Sequence, residues 1–149
     1  MTDAAGSLTR VDARELGFTL LDSYIIAGDK SLPETLFSSE ELYQNIRQGV
    51  RVSTSQASVF ERYQYYQRVL AQYPNVLYLC VGSVFTGNFD LAVDWKTQND
   101  PDGRLTVIDT GSASGRLGAI AIATARYSLQ TFDPQAVINF AQRAVESCE

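Results

Sequence analysis

The chain has 149 residues, of which 45% are hydrophobic and 19% charged, and its formal net charge is −5. This length and composition predict one globular domain over residues 1–149 with a core of its own, and they exclude a disordered chain. The excess of acidic residues excludes a basic surface for nucleic acid, and no apolar stretch is long enough to span a membrane. The first residues lack the basic and apolar segments of a signal peptide, so we expect a cytoplasmic protein in which Cys80 and Cys148 form no disulfide.

Three segments have the character of β-strands, namely residues 18–27, 76–81 and 105–108. The last two are short apolar runs, as is typical of strands that are buried on both faces of a sheet. The residues before Asp3 are too few for the strand that usually opens such a sheet, so we expect that strand to be missing.

Helices are predicted between and after these strands. The spacing of Ser38 and Glu41 is that of a capping box, which opens a helix ending near Gly49. Later helices are predicted from residues 59, 88, 117 and 134 onward. The helix from residue 59 is predicted to bury one face, formed by Val59, Tyr63, Tyr66, Leu70 and Tyr73. The helix from residue 134 is predicted to bury the stripe Val137, Ile138, Ala141, Ala144 and Val145. This alternation predicts an α/β fold, with a mainly parallel β-sheet flanked by helices.

The residue types that are absent limit the chemistry. The sequence contains no histidine, which excludes Ser-His and Cys-His nucleophile pairs and any histidine ligand for zinc. It also lacks the glycine motifs that cradle nucleotide phosphates. We therefore expect no catalytic residue, no metal and no cofactor, and a binding protein rather than an enzyme.

Two polar loops stand before predicted helices. Residues 53–58, Ser-Thr-Ser-Gln-Ala-Ser, precede the helix that begins at residue 59, so their hydroxyls and the free N–H groups of its first turn favour an anion. An ordinary Ser or Thr cap explains the same residues. In residues 82–88, Gly87 would let a ligand atom approach the backbone, whereas a plain turn with Asn88 as a cap is the alternative.

The third polar loop, residues 109–115, follows the predicted strand at residues 105–108. Ligands of open parallel sheets bind beyond the carboxyl ends of the strands, where this loop and the loop at residues 82–88 would lie. Asp109 has no histidine or lysine beside it, so we interpret it as a residue that fixes the loop by hydrogen bonds rather than as a general base.

These loops resemble those of the DegV family. Residues 54–58, Thr-Ser-Gln-Ala-Ser, are similar to its Thr-Ser-Gln-Pro-Ser, and residues 107–114, Val-Ile-Asp-Thr-Gly-Ser-Ala-Ser, to its Val-Ile-Asp-Ser-x-Ser-Ala-Ser. Thr86-Gly87-Asn88 resembles its Ser-Gly-Thr loop, and Thr2-Asp3 resembles its Thr-Asp-Ser-Thr opening. The resemblance covers the N-terminal lobe of the family, whose usual C-terminal lobe has no counterpart in these residues.

The resemblance implies a Rossmann-like, three-layer protein that binds a long-chain fatty acid. Hydroxyls at Thr54 and Thr86 would hold the carboxylate, within about 8 Å of each other if they share it through hydrogen bonds. An apolar tunnel would hold the tail, and a fatty-acid kinase subunit would be the partner. The implied ligand-binding residues are Thr54, Ser55, Gln56, Thr86, Gly87 and Asn88, and the implied supporting loop has Asp109, Ser112 and Ser114.

Two other hypotheses about function stay open. Ala57 stands where the family has Pro, and the second lobe has no counterpart, which favours an interaction module that keeps the fold without the ligand. Such a chain would expose an apolar face to its missing lobe or to a second copy in a homo-oligomer. An enzyme acting on a small anionic substrate, with Asp109 or Asp3 as its base, is favoured less.

Overall fold

Seven strands form two sheets in the computed structural model of the protein, which describes residues 1–148. The strands are β1 (Thr2–Asp3), β2 (Leu20–Leu21), β3 (Tyr24–Ala27), β4 (Lys30–Pro33), β5 (Val52–Ser55), β6 (Val76–Cys80) and β7 (Leu105–Asp109). The α-helices are α1 (Arg10–Leu16), α2 (Ser39–Arg47), α3 (Val59–Gln72), α4 (Asn88–Asn99), α5 (Ser114–Ser128) and α6 (Pro134–Ser147). A parallel sheet has the order β2-β1-β6-β7, and an antiparallel sheet has the order β4-β3-β5.

The parallel sheet confirms the predicted α/β architecture. Its two long strands, β6 and β7, pair from Val76 opposite Leu105 to Cys80 opposite Asp109. The expectation of a missing first strand is wrong, because β1 pairs with β2 on one side and with β6 on the other. Two residues suffice here because neighbouring strands on both sides supply the hydrogen bonds of β1.

The predicted single strand at residues 18–27 is also wrong, since its two halves belong to different sheets. The break falls at Asp22, whose carboxylate accepts hydrogen bonds from the Thr35 backbone nitrogen (3.0 Å) and the Thr35 hydroxyl (3.0 Å). Arg10 also donates to this carboxylate (3.2 Å). These bonds hold the chain at Asp22 where it leaves the parallel sheet for the antiparallel one.

Helices cover both faces of the parallel sheet. One core cluster joins α3 and α4 to Tyr78 and Cys80, and a second joins α5 and α6 to Leu79, as the alternation of side chains along β6 requires. The buried face of α3 differs from the prediction, because Val59 and Tyr73 are half exposed. Its buried residues are Arg62, Tyr66, Val69 and Leu70.

Local signals at helix ends agree with the structure. Ser38 caps α2, whose last residue, Arg47, lies just before Gly49. The predicted capping box is only half formed, because the Glu41 carboxylate accepts from Lys30 (2.5 Å) and not from the Ser38 nitrogen. Asp133 caps α6, with Pro134 in its first turn. Both cysteines, Cys80 and Cys148, are free. Among residues 1–148, no helix is both long enough and apolar enough to cross a bilayer.

Candidate functional site

A buried carboxylate organises the carboxyl edge of the parallel sheet. Asp3, at the end of β1, accepts hydrogen bonds from Arg62 (2.9 Å) and Asn88 (3.1 Å) at Oδ1. At Oδ2 it accepts from the Tyr78 hydroxyl (2.8 Å) and from the Val81 nitrogen (2.8 Å). One side chain therefore joins β1 and β6 to helices α3 and α4.

The ion pair between Asp3 and Arg62 is almost completely dry, since each side chain is 2% exposed. Burial alone would lower the pKa of Arg62, but Tyr78 and Asp3 outweigh it and raise that pKa, so the guanidinium stays charged. Burial also raises the pKa of Tyr66 to about 12 and the pKa of the Cys80 thiol. The tyrosine and the thiol thus stay neutral, and this cluster offers no reactive nucleophile.

The loops after β6 and β7 are fastened to each other. Ser83 donates to Asp109 through its backbone nitrogen (3.0 Å) and its hydroxyl (2.5 Å), and the Gly111 nitrogen donates to the same carboxylate (3.0 Å). Partial burial by itself would raise the pKa of Asp109. The hydrogen bonds from Ser83 and Gly111 outweigh it and lower this pKa below its ordinary value. A carboxylate held in this way fixes the loops and is a weak base.

The two loops also meet at their backbones. The Gly82 nitrogen donates to the Ser112 carbonyl oxygen (2.8 Å). A Cβ at Gly82 would lie 2.6 Å from the Gly111 carbonyl carbon, so only glycine fits without movement of the backbone. Ser112 itself is buried and donates to the Thr110 carbonyl oxygen (2.9 Å), and Ser114 contacts Ser7 (3.2 Å between hydroxyl oxygens).

The start of α4 is open to a ligand. Gly87 is its N-cap and provides no side-chain cap. The Thr86 hydroxyl oxygen accepts a hydrogen bond from the Asn88 nitrogen (3.3 Å), and a hydroxyl that accepts can still donate its own proton. Thr86 therefore combines a hydroxyl that can still donate with the N–H groups of Phe89 and Asp90, which follow Asn88 in the first turn of α4. The Asn88 side chain is buried, with its amide nitrogen bound to Asp3.

The start of α3 is closed by contrast. Ser58 forms a capping box with Glu61, whose carboxylate accepts from the Ser58 nitrogen (2.9 Å) and hydroxyl (2.8 Å). The Tyr24 hydroxyl donates to the same carboxylate (2.6 Å), and the bonds from Tyr24 and Ser58 lower the pKa of Glu61. An anion therefore already occupies this helix start, and Ser58 is the ordinary cap that the sequence allowed. Thr54, Ser55 and Gln56 are exposed just before it, the first two on β5.

The sequence model of the DegV family matches residues 1–148. The chain belongs to the DegV family. It is 27% identical over 132 residues to a DegV domain-containing protein of Streptococcus pyogenes. This match covers 84% of this chain and 46% of that protein. The match to the family confirms the resemblance seen in the loops.

Solved DegV structures share the fold. A fatty-acid-binding DegV family protein of Thermus thermophilus superposes with a TM-score of 0.82 at 24% identity. DegV of Bacillus subtilis, described as a fatty acid binding protein, superposes with a TM-score of 0.83 at 15% identity. Each match covers 97% of this chain and 52% of the other chain. The chain thus spans about half the length of these DegV relatives, as expected for the N-terminal lobe.

The predicted DegV site residues fall into two groups in the structure. Thr86, Gly87, Asp109, Ser112 and Ser114 lie in or beside the fastened loops at the carboxyl edge of the parallel sheet. Thr54, Ser55 and Gln56 lie on the antiparallel sheet and after it. That the two groups share one ligand stays a prediction, as does a ligand contact from Asn88.

Sequence reasoning missed Arg62 and Tyr78, which hold Asp3 in this DegV fold. Arg62 lies one turn before Tyr66 on the buried face of α3. A charged residue within an otherwise apolar helical face is rarely buried unless it is paired. The position of Arg62 on this face could therefore have indicated a buried ion pair. The identity of its partner, 59 residues earlier in the chain, could not be inferred from spacing.

Proposed function

We propose that this chain binds a long-chain fatty acid by its carboxylate at the carboxyl edge of the parallel sheet. The observation that carries the proposal is the Thr86 hydroxyl, which can still donate its proton at the start of α4, where the N-cap Gly87 has no side chain. A carboxylate there would accept that proton and the N–H groups of the first helical turn, an arrangement that favours anions. The fatty-acid-binding relatives with this fold support the choice of ligand.

The Thr54 hydroxyl is the second head-group donor in this proposal, with Ser55, Gln56 and Gly87 beside the two donors. Neutral donors suit a single carboxylate, whereas a phosphate usually recruits arginine or lysine. The negative charge of Glu61, next to the loop of Thr54, weakens the field of α3 for an anion. Asp90 is likewise acidic in the first turn of α4, but, unlike Glu61, its carboxylate accepts no hydrogen bond from that helix start among residues 1–148. We therefore assign the larger share of head-group binding to Thr86 and the start of α4.

The acyl tail supplies most of the affinity in this proposal. Four large apolar side chains near these loops are more than half exposed: Val59, Phe60, Val84 and Phe85. They offer an apolar surface that would cover part of a tail, at about 0.8 kcal/mol for each buried methylene. Each head-group hydrogen bond would contribute less, about 0.5–3 kcal/mol.

The test is a titration with dodecanoate and hexadecanoate, followed by calorimetry, of wild type, Thr86→Val, Thr54→Val and the double variant. Each substitution removes one donor at nearly constant volume, so the binding free energy should weaken by about 0.5–3 kcal/mol. Within this range, Thr86→Val should have a larger effect than Thr54→Val. Thr97→Val is the matched control, because the Thr97 hydroxyl only donates to the Val93 carbonyl oxygen (2.9 Å) within α4. Affinity that depends neither on these hydroxyls nor on acyl length would refute the assignment.

Presentation of the bound acid to a fatty-acid kinase is the second part of the proposal. A carboxylate held at the sheet edge by neutral donors, with its tail against apolar side chains, leaves its oxygens facing away from the core. Acyl phosphate formed from ATP and hexadecanoate by a fatty-acid kinase should then require this chain. Equal acyl phosphate formation without the chain, or with the double variant, would exclude this role.

An interaction module without ligand is the second candidate, and the same exposed apolar residues favour it. Val84 and Phe85 are 79% and 61% exposed, as expected of a face that a second lobe or a second copy covers. Mass spectrometry of lipid extracted from the purified protein separates the candidates. Co-purified fatty acid supports the carrier, whereas a lipid-free protein that sediments as a dimer supports the module.

A further inference from the structure

A cavity of about 340 Å³ lies at the amino edge of the parallel sheet, opposite the proposed head-group site. Its floor is formed by the starts of strands, including Val76 and Thr106, and its walls by the ends of α3 and α5 and the first turns of α6. None of the predicted fatty-acid residues lines it. This volume lies within the range of about 300–1,000 Å³ that is usual for small-molecule sites.

One polar group in the wall of this cavity is unpaired and buried. The Thr124 residue is 5% exposed, and its hydroxyl has no hydrogen-bond partner among residues 1–148. Neighbouring hydroxyls are satisfied: Ser128 donates to the Ala125 carbonyl oxygen (2.7 Å), and Thr2 donates to the Leu79 carbonyl oxygen (2.8 Å). A buried hydroxyl without a partner costs free energy that a ligand group would recover.

The charged side chains in the wall are already engaged by the protein. Arg104 donates to the carbonyl oxygens of Leu70, Tyr73 and Pro74 at the end of α3. Asp133 accepts from the Gln135 nitrogen (2.9 Å) as the cap of α6. Neither side chain is left to act as the counter-ion of a ligand. The Met1 amino group also lines the cavity, but it donates to the Leu77 carbonyl oxygen (2.7 Å), and burial lowers its pKa to about 6, so it is mostly uncharged at pH 7. The cavity therefore suits an uncharged molecule.

Aromatic side chains mark the wall and mouth of the cavity. Phe18 and Tyr73 line it, and so does Phe132, whose side chain is fully exposed in the loop between α5 and α6. Exposure of a whole phenylalanine side chain is unfavourable, and a ring bound in the cavity would cover part of it. The lining therefore favours a molecule that carries a flat apolar ring.

We propose that the amino edge binds an uncharged, ring-bearing small molecule whose single polar group hydrogen-bonds to the Thr124 hydroxyl. The site is independent of the fatty-acid proposal, because the body of the sheet separates the two edges. Its ligand differs in class as well, since it has neither a carboxylate nor a long tail.

Indole and indene test this proposal, because they match in size and only indole has an N–H donor. Titration of the ¹⁵N-labelled chain with indole should shift amide signals of the α5 and α6 residues that line the cavity, namely Ala121, Thr124, Ala125, Val137 and Ile138. Thr124→Val should weaken indole binding roughly 2- to 10-fold and leave indene binding unchanged, because it removes one neutral hydrogen bond. Ala125→Leu, which fills the cavity, should weaken both probes at least about 10-fold.

Val137→Phe is a second filling variant at a less buried position of the wall, and it should also weaken both probes if Ala125→Leu fails to fold. Indole shifts confined to residues outside the cavity would overturn the proposal. So would equal indole affinity in wild type and Thr124→Val, or probe binding that persists in Val137→Phe.

Discussion

The two edges of the parallel sheet are held together by different forces. At the carboxyl edge, the buried Asp3 and the partly buried Asp109 accept hydrogen bonds from strands, helices and loops. At the amino edge, apolar side chains surround a cavity, and the buried Thr124 hydroxyl lacks a partner among residues 1–148. The hydrogen bonds therefore fix the carboxyl edge in one arrangement, whereas the amino edge encloses an unfilled cavity.

This difference indicates where each kind of ligand fits. Recognition of a small polar head group requires donors at fixed positions, and the fastened loops at the carboxyl edge provide a rigid frame for Thr86. Recognition of an apolar ring requires volume and shape, which the amino edge provides. Three comparisons between matched variants measure the difference between the two edges.

The largest effect is expected from Asp3→Asn. The change leaves the Arg62 guanidinium buried without its counter-charge, which should lower the free energy of unfolding by about 3–5 kcal/mol. Glu41→Gln makes the same chemical change in the exposed ion pair with Lys30 and should cost only about 0.2–1 kcal/mol. Urea unfolding at pH 7 measures both. Equal costs would mean that the carboxyl edge does not depend on its buried pair.

The next comparison tests the close approach of the two loops. Gly82→Ala would place a methyl group 2.6 Å from the Gly111 carbonyl carbon and should cost about 1–3 kcal/mol, because the opposing atoms are backbone. Gly115→Ala is the control, since nothing lies within 4 Å of its added methyl group at the start of α5. It should leave stability unchanged or raise it by up to about 1 kcal/mol. A Gly82→Ala variant as stable as wild type would show that the loops can separate.

The parallel sheet was predictable from sequence where its strands are apolar. The runs that became β6 and β7 are short and apolar, so composition alone identified them, although β6 is largely buried and β7 is only half-buried after Leu105. The antiparallel sheet was missed because β4 and β5 are largely exposed and lack a regular apolar alternation. The first strand was missed because its two residues depend on β2 and β6, which are distant in sequence.

The candidate site was predictable to the level of its loops. Strand ends followed by Ser, Thr and Gly identified residues 82–88 and 109–115, and Asp109 bonds to both loops in the structure. The inward direction of the Asn88 side chain was not predictable, because it depends on Asp3, which is 85 residues away in sequence. The capping box of Ser58 and Glu61 was visible as spacing, but its effect on an anion at α3 became clear only from the geometry.

The last comparison uses one substitution at both edges of the sheet. The buried Thr110 hydroxyl donates to the Cys80 carbonyl oxygen (2.8 Å), so Thr110→Val should lower the free energy of unfolding by about 1 kcal/mol. Thr124→Val removes a buried hydroxyl that has no partner among residues 1–148, so it should leave stability unchanged or raise it by up to about 1 kcal/mol. Threonine and valine have similar helix propensities, so the position of Thr124 within α5 adds little to the difference. Urea unfolding of the two variants side by side gives the sign of each change. If Thr124→Val destabilised the protein as much as Thr110→Val, the Thr124 hydroxyl would have a partner in solution and the contrast between the edges would fail.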